Sequence, residues 1–286
     1  MKLTANQKLN GIDVKLEFYT PLWGFDNLDF DTFIQKAIDG GFDGIEIPFH
    51  MGLTLEASHL ETISKIKAAG LKYIAQHYET VCSDISQYKQ EIRTRLELLA
   101  STQPEFINSQ TGRDFFTFED NLSIIDVCEA VSKETGVKIY HETHRGRFSF
   151  ASHVTEQYLK ARPNLRLNGD LSHWCCVAGT LLEDQDKRLD AMFKNMHHIH
   201  SRVGFSEGPQ VSDPTAPEFE ATVERFLSWW FKIFDNAKAR GDTSFPITTE
   251  FGPAPYMPLE PHTQRPLCDQ WEANMYIKHL IKTGYE

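Results

Sequence analysis

The chain has 286 residues, of which 41% are hydrophobic and 24% charged; this is an ordinary globular composition, long enough to bury a core without disulfides. Its formal net charge of −11 argues against nucleic acid as a partner, because phosphate backbones are bound through clustered lysine and arginine. The five cysteines are odd in number and include no CxxC pair, so neither a disulfide scaffold nor a thiolate zinc site is expected.

The start of the chain, Met1 to Gly11, is polar and lacks the apolar stretch of a signal peptide. No run of residues approaches the roughly eighteen apolar positions of a membrane-spanning helix. We therefore expect a cytoplasmic protein without a membrane partner. The length suits one (β/α)₈ domain over residues 1–286, since such barrels take about 250 residues.

Strand-like runs alternate with helix-like runs along the chain, which is the pattern of βαβ units and a parallel sheet. Eight candidate strands can be placed, and eight strands close a barrel. They are Val14–Thr20, Gly44–Phe49, Tyr73–Tyr78, Phe106–Gln110, Lys138–His144, Leu165–Asp170, His197–Val203 and Ile247–Phe251. An open doubly wound sheet would show the same local alternation. The acidic residues and histidines at the ends of the strands favour a closed barrel instead.

Helix-like runs between these strands carry start and stop signals. They include Asp31 to Ile38, Leu55 to Ala69, Asn121 to Thr135 and Trp271 to Lys282. A further helix carries large apolar residues at three- and four-residue spacing from Phe219 to Phe234, which favours core packing, with a partner interface as the alternative. No glycine-rich phosphate loop follows any strand, so no nucleotide cofactor is indicated.

Acidic residues and histidines collect at the ends of the predicted strands. Active sites of (β/α)₈ barrels lie at this C-terminal face. The residues concerned are Glu46, His50, His77, Glu142, His144, Asp170, His173, His198, His200 and Glu250. Histidines with only core or surface roles would be expected to scatter through the helices instead.

Side-chain alternation along the strands places Glu142, Asp170, His200 and Glu250 at one depth inside the predicted barrel. Three carboxylates in one low-dielectric space repel each other unless a cation neutralises them. We therefore predict one divalent metal ion; the oxygen-rich donor set favours Mn²⁺, Mg²⁺ or Co²⁺, with Zn²⁺ also possible. The alternative is that each residue separately makes a surface contact or a salt bridge.

The same strand ends resemble those of the xylose-isomerase-like barrels, a superfamily of sugar isomerases and epimerases, inosose dehydratase and endonuclease IV-type nucleases. The matching segments are Ile-Tyr-His-Glu-Thr-His at 139–144, Gly-Asp-Leu-Ser-His at 169–173, His-Ile-His at 198–200 and Thr-Thr-Glu-Phe-Gly at 248–252. The resemblance to the ketose 3-epimerase branch implies metal ligation by Glu142, Asp170, His200 and Glu250. It also implies that His173 holds substrate hydroxyls and that the two glutamates act as acid and base on opposite faces of the substrate.

The chain departs from these epimerases after the metal-ligand histidine. The epimerases carry a substrate-binding arginine several residues later, whereas Arg202 follows His200 by only two, and the loop 204–211 is unlike theirs. The departure concerns the substrate contacts rather than the metal ligands. Arg202, His77 and His144 are candidate substrate contacts, and a structural role is the alternative for each of the two histidines.

The residues support a sugar isomerase or epimerase that removes a proton next to a carbonyl and stabilises the resulting enediolate with a metal. Glu142 and Glu250 are the candidate acid/base pair. The expected partner is a small sugar or polyol, and a homo-oligomer is possible. The same residues would serve a lyase or dehydratase acting on a keto-sugar or inosose. A non-catalytic sugar-binding barrel and a metal nuclease are further alternatives.

Overall fold

A computed structural model describes residues 14–49 and 53–285 of the chain. Eight parallel strands pair in chain order, and β1 pairs with β8, so the sheet closes into the predicted (β/α)₈ barrel rather than an open sheet. The strands are β1 Lys15–Pro21, β2 Gly44–Pro48, β3 Lys72–His77, β4 Ile107–Ser109, β5 Ile139–Glu142, β6 Leu167–Gly169, β7 Met196–His200 and β8 Ser244–Thr248. His50 and the segment Met1 to Gly11 lie outside the described residues.

Helices follow the strands around the outside of the barrel. Those in the described part of the chain are α1 Phe30–Asp39, α2 Ala57–Ala68, α3 Ile85–Ser101, α4 Phe118–Thr135, α5 Ser152–Ala161, α6 Leu171–Ala178, α7 Asp186–Phe193, α8 Glu220–Arg240 and α9 Gln270–Tyr285. Not one of them combines the length and the apolar character that crossing a membrane requires.

The predicted strands correspond to the observed ones, with shifted ends. The largest shift is at β8, which begins at Ser244 and ends at Thr248, so Glu250 follows the strand by two residues. At β5 the strand ends at Glu142, and His144 lies in the following loop. In both places, pairing with the neighbouring strands ends before the strand-like alternation of side chains ends. The sequence carries no signal for the residue at which the pairing ends.

Local signals set the ends of α4. Thr117 Oγ1 accepts a hydrogen bond from the Asp120 backbone N–H at 3.1 Å, and Gly136 ends the helix in the left-handed conformation at φ 75°. The apolar stripe predicted between residues 219 and 234 lies along the end of the preceding turn and on α8. Phe226 and Trp230 on this helix are 0% exposed, so the stripe packs in the core.

A small apolar cluster of buried residues is distinct from the larger hydrophobic core. It consists of Tyr19, Ile74, Phe106 and Tyr140. The ring of Phe106 stacks on that of Tyr140 with a centroid distance of 4.4 Å, and its centroid lies 5.0 Å from that of the His198 ring. Polar residues therefore begin directly next to this cluster, on the side toward the C-terminal strand ends.

Candidate metal centre

The four predicted metal ligands lie at the ends of four neighbouring strands. Glu142 and His200 are the last residues of β5 and β7. Asp170 follows β6 and caps α6, and Glu250 follows β8. All four are buried, with at most 5% exposure. Because parallel strands end at one rim of a barrel, residues far apart in the chain meet there.

Short distances join these residues into one cluster. Ligand atoms of Glu142, Asp170 and His200 all lie within 4.8 Å of one another. His200 Nδ1 is 2.8 Å from Glu250 Oε2 and 4.0 Å from Glu142 Oε1. The structure therefore brings Glu142, Asp170 and His200 together and places Glu250 next to His200.

The atoms of this cluster fit a cation. His200 Nδ1 and Glu250 Oε2 are buried and face each other, yet among the described residues neither has a hydrogen bond of good geometry. Three carboxylates and one imidazole form a donor set that suits Mn²⁺, Mg²⁺ or Co²⁺, and Zn²⁺ also accepts such ligands. The residues present are thus compatible with a divalent ion at this point.

Electrostatics in the cluster favour neutralisation by a positive charge. Burial raises the pKa of Glu142 to about 7; His200 opposes this rise, and Glu250 and Asp170 add to it. For His200, burial lowers the pKa, but Glu250, Glu46 and Glu142 together raise it well above its ordinary value. Without a metal, protons on these two side chains therefore reduce the excess negative charge.

Arg202 lies inside the centre. Its Nη2 donates to Asp170 and lies 2.8 Å from Glu250 Oε2. The guanidinium carbon Cζ lies 4.6 Å from the ring centroid of Tyr256 and 5.9 Å from that of Trp23. Arg202 Nη1 is buried and has no hydrogen-bond partner among the described residues. The arginine thus pairs with two predicted ligands and keeps one nitrogen free.

His144 and His173 form a second pair beside the ligands. Their ring centroids are 3.9 Å apart, and His173 Nε2 lies 3.5 Å from Asp170 Oδ2. Burial lowers the pKa of both imidazoles well below its ordinary value, so both are neutral near pH 7. His144 Nδ1 donates to the carbonyl oxygen of Arg145 at 2.5 Å, which leaves Nε2 with its lone pair.

His77, the remaining predicted substrate contact, is bonded within the protein. Its Nδ1 is 2.9 Å from Ser109 Oγ, and its Nε2 is 2.8 Å from Thr80 Oγ1. Burial lowers the pKa of His77 to about 3. The residue is 3% exposed and does not line the cavity described next.

A cavity of about 270 Å³ opens over the centre, and Glu142, Glu250, Arg202 and His144 form part of its wall. The remaining wall is aromatic, amide and acidic, with one proline: Trp23, Asp26, Pro48, Gln76, Tyr78, Gln110 and Tyr256. Gln110 and Tyr256 are not among the predicted site residues, because their only signal in the sequence is their position after strands. A larger recess of about 710 Å³, near Lys15 and Lys278, contains none of the four predicted ligands.

Glu46 on β2 contacts His200 from the other side of its ring. Both carboxylate oxygens of Glu46 lie 3.1 Å from His200 Nε2. Burial alone would raise the pKa of Glu46, but His200 and His198 outweigh burial and lower this pKa to about 2. The side chain of Glu46 is therefore ionised. The sequence places Glu46 at a strand end but gives it no role.

Comparisons with known proteins show similarity in structure rather than in sequence. No protein-family model and no curated protein sequence matches the chain. D-Allulose 3-epimerase from Methylomonas sp. is 16% identical, with 96% of this chain and 98% of that chain covered at a TM-score of 0.63. 3-Keto-D-glucoside 4-epimerase from E. coli is 17% identical, with 94% and 100% covered at a TM-score of 0.59.

A third similar structure is the probable 3-DHS dehydratase from Bacillus anthracis. It is 13% identical, with 93% of this chain and 98% of that chain covered at a TM-score of 0.57. At these identities the likeness concerns the fold. The chain shares the (β/α)₈ fold of these three structures.

Proposed function

We propose that this protein is a divalent-metal-dependent isomerase or epimerase of a small sugar or polyol. The observation that carries the proposal is the clustering of three buried carboxylates around the imidazole of His200, with two of these carboxylates, Glu142 and Glu250, lining a cavity. Proton abstraction next to a carbonyl uses a carboxylate base beside a Lewis acid. Two structures of the same fold are named as epimerases, in agreement with this chemistry.

Glu142, Asp170, His200 and Glu250 would hold the ion. When bound, the ion would supply Lewis acidity toward substrate oxygens and stabilise developing negative charge. The oxygen-rich donor set favours Mn²⁺, Mg²⁺ or Co²⁺, and the imidazole keeps Zn²⁺ as an alternative. The proposal includes no nucleotide cofactor.

Glu142 and Glu250 are the proposed acid/base pair, and both line the cavity. One carboxylate takes the proton from the carbon beside the carbonyl and leaves an enediolate. In an epimerase, the opposite carboxyl group then returns a proton to the other face of the same carbon. In an isomerase, a proton returns to the former carbonyl carbon, and the hydroxyl proton moves to the former carbonyl oxygen as the new carbonyl forms. Gln110 Nε2 lies 3.3 and 3.4 Å from the two carboxylate oxygens of Glu142 and helps to orient that side chain.

His144 and Arg202, which line the cavity, are the proposed contacts to substrate oxygens. His173 is also predicted to be such a contact, but it is 0% exposed and does not line the cavity, so we propose that it supports the ring of His144. The neutral imidazole of His144 offers a lone pair to a hydroxyl, whereas Arg202 Nη1 is a free donor. The position of His77 makes it a support of β3 rather than a substrate contact.

The cavity indicates a substrate of limited size. Its volume of about 270 Å³ lies just below the usual range of ligand pockets, roughly 300–1,000 Å³. Trp23 and Tyr256 meet edge to face at 5.2 Å and give the wall apolar surface for the C–H groups of a sugar.

Elemental analysis and deuterium exchange test the proposal. We expect one divalent ion per chain, removable by EDTA. After the ion is restored, solvent deuterium should enter the carbon next to the carbonyl of at least one ketose in a panel followed by proton NMR. A protein that binds no Mn²⁺, Co²⁺ or Zn²⁺, and exchanges no ketose in the panel, would contradict the proposal.

A lyase acting on a keto-sugar or inosose is the second candidate. It is favoured by the buried Arg202 Nη1, a free donor able to stabilise a departing hydroxyl or alkoxide oxygen. Proton NMR and mass spectrometry separate the two candidates. Isomerisation conserves the composition of the substrate, whereas elimination releases water or an aglycone.

A further inference from the structure

We propose that Glu46 is a positioning residue that fixes the ring of His200 and its proton, so that Nδ1 presents a lone pair to the metal centre. The inference rests on the proposed function, because it assigns Nδ1 as the metal-binding atom. Histidines that bind metals commonly donate their other ring N–H to a carboxylate, which sets the orientation and the tautomer of the ring.

The ring of His200 lies between two sets of carboxylates. Nε2 is 3.1 Å from each oxygen of Glu46, whereas Nδ1 is 2.8 Å from Glu250 Oε2. His200 is 0% exposed, so solvent does not compete for either nitrogen. One nitrogen therefore faces Glu46 and the other faces the proposed ligands.

Asn108 indicates which nitrogen carries the proton. Its side-chain amide has two N–H groups, and the nearest acceptors are Glu46 Oε1 at 2.9 Å and Glu142 Oε2 at 3.1 Å. His200 Nε2 is farther from this amide, at 3.2 Å. Asn168 donates to Asn108 Oδ1 at 3.1 Å, which fixes the orientation of the amide. With both N–H groups of Asn108 donated to carboxylates, Nε2 donates its own proton to Glu46.

Glu46 is itself held in place. Thr248 Oγ1 donates to Glu46 Oε2 at 2.5 Å, while Asn108 donates to Oε1. The residue is 1% exposed on β2, which pairs with a strand on each side. A carboxylate with both oxygens engaged stays in place and determines where the ring of His200 lies.

A second ion at this point is the rival interpretation. Ligand atoms of Glu46, His198 and His200 also lie within 4.8 Å of one another. His198 Nε2, however, is 2.9 Å from Thr248 Oγ1 and 3.8 Å from Glu46 Oε2. Since Thr248 already occupies that nitrogen, the contacts favour positioning over a second ion.

Co²⁺ binding to the full-length Glu46→Gln variant tests the inference. We expect the Kd for Co²⁺, measured by competition with a chelator, to rise about 10- to 100-fold. The visible spectrum of the Co²⁺-loaded protein should also change, because the ligand ring is no longer fixed. Glu17→Gln is the matched control: Glu17 is a buried strand glutamate, 7% exposed, whose carboxylate pairs with Lys72 at 2.8 Å, and its loss should change neither readout.

The outcomes separate the inference from the proposed function. A wild-type protein that binds no divalent ion counts against the proposed function itself. If the wild type binds Co²⁺ and the Glu46→Gln variant gives the same Kd and spectrum, only the positioning role is overturned. Two ions per wild-type chain would overturn it in favour of the rival interpretation.

Thr248→Val keeps the inference testable if the Glu46→Gln variant does not fold. This variant removes the hydroxyl that holds Glu46 but retains the carboxylate. We expect the Kd for Co²⁺ to rise about two- to tenfold, the effect of one hydrogen bond. An unchanged Kd in a folded Thr248→Val variant would overturn the positioning role.

Discussion

Glu142 and Glu250 have different neighbours although both are proposed to handle protons. Glu142 receives hydrogen bonds from the neutral amides of Asn108 and Gln110, whereas Glu250 faces the guanidinium group of Arg202. Burial raises the pKa of Glu142 to about 7 in the metal-free protein. A bound cation would favour the ionised form of this carboxyl group, which is the form that takes a proton from the substrate.

Glu142→Gln should therefore reduce turnover by about a hundredfold or more on a confirmed substrate, because it removes an acid/base group. The side-chain carbonyl oxygen of the new glutamine can still coordinate a cation, so part of the metal should remain bound. Steady-state kinetics and elemental analysis of the same preparation measure both effects. Glu61→Gln, at an exposed residue of α2, is the control; a Glu142→Gln variant with full turnover would exclude the proposed role.

His77 should make the protein sensitive to acid. Its pKa falls from 6.5 to about 3 in the folded protein, so folding favours the neutral ring. Its stabilising contribution is complete above pH 6.5 and is lost as the pH falls toward 3, with a slope of up to about 1.4 kcal/mol per pH unit.

Urea unfolding of the metal-free protein between pH 7 and 4 measures this contribution. The His77→Gln variant should lose stability less steeply than the wild type as the pH falls. The same exchange at the exposed His153 is the control. If the free energies of unfolding of the His77→Gln variant and the wild type fell equally steeply with decreasing pH, the prediction would be refuted.

At the scale of the elements, strand and helix ends place the site residues. Asp170 caps α6 through Oδ1, which accepts from the Ser172 N–H at 3.1 Å and from Ser172 Oγ at 2.5 Å. Its Oδ2 is directed to Arg202 and the centre. The cap thus orders a proposed ligand before any ion binds, and the helices matter to the site because their ends fix such residues.

Gly136→Ala should destabilise the protein by about 1 kcal/mol through the end of α4. The glycine has φ 75°, and an added Cβ would meet no atom within 4 Å, so the cost comes from the backbone conformation alone. Gly136→Asn should lose less, since asparagine tolerates this conformation. Chemical denaturation measures both variants; equal losses for the two would contradict the backbone explanation.

At the scale of the whole molecule, the proposed ligands come from β5 to β8, whereas closure depends on the five-residue register between β1 and β8. An ion at the centre would therefore join the ends of four strands. Unfolding the barrel separates these ligands, so an ion that binds only the folded chain stabilises the whole barrel.

Addition of Mn²⁺ or Co²⁺ should raise the Tm in a concentration-dependent way. A concentration one hundred times the Kd corresponds to about 2.7 kcal/mol of stabilisation. Differential scanning calorimetry measures the shift, and EDTA should reverse it. Asp170→Asn should show a smaller shift at the same ion concentration, and a wild-type Tm that does not respond to the ions would contradict the prediction.

The sequence by itself determined the barrel and the identity of the residues at its mouth. Alternation of strand-like and helix-like runs predicts the eight strands, because one face of each element must be apolar. Side-chain alternation also predicts that Glu142, Asp170, His200 and Glu250 meet, because parallel strands end at one rim.

Only the tertiary structure decided which side chains touch across the barrel. It pairs Arg202 with Asp170 and Glu250. It also places His77 in hydrogen-bond contact with Thr80, and Glu46 in contact with His200. Alternation gives the face on which a side chain lies, but contacts between distant strands also depend on the pairing register and on side-chain torsions. These are fixed by closure and packing of the whole barrel, which no local segment of the sequence encodes.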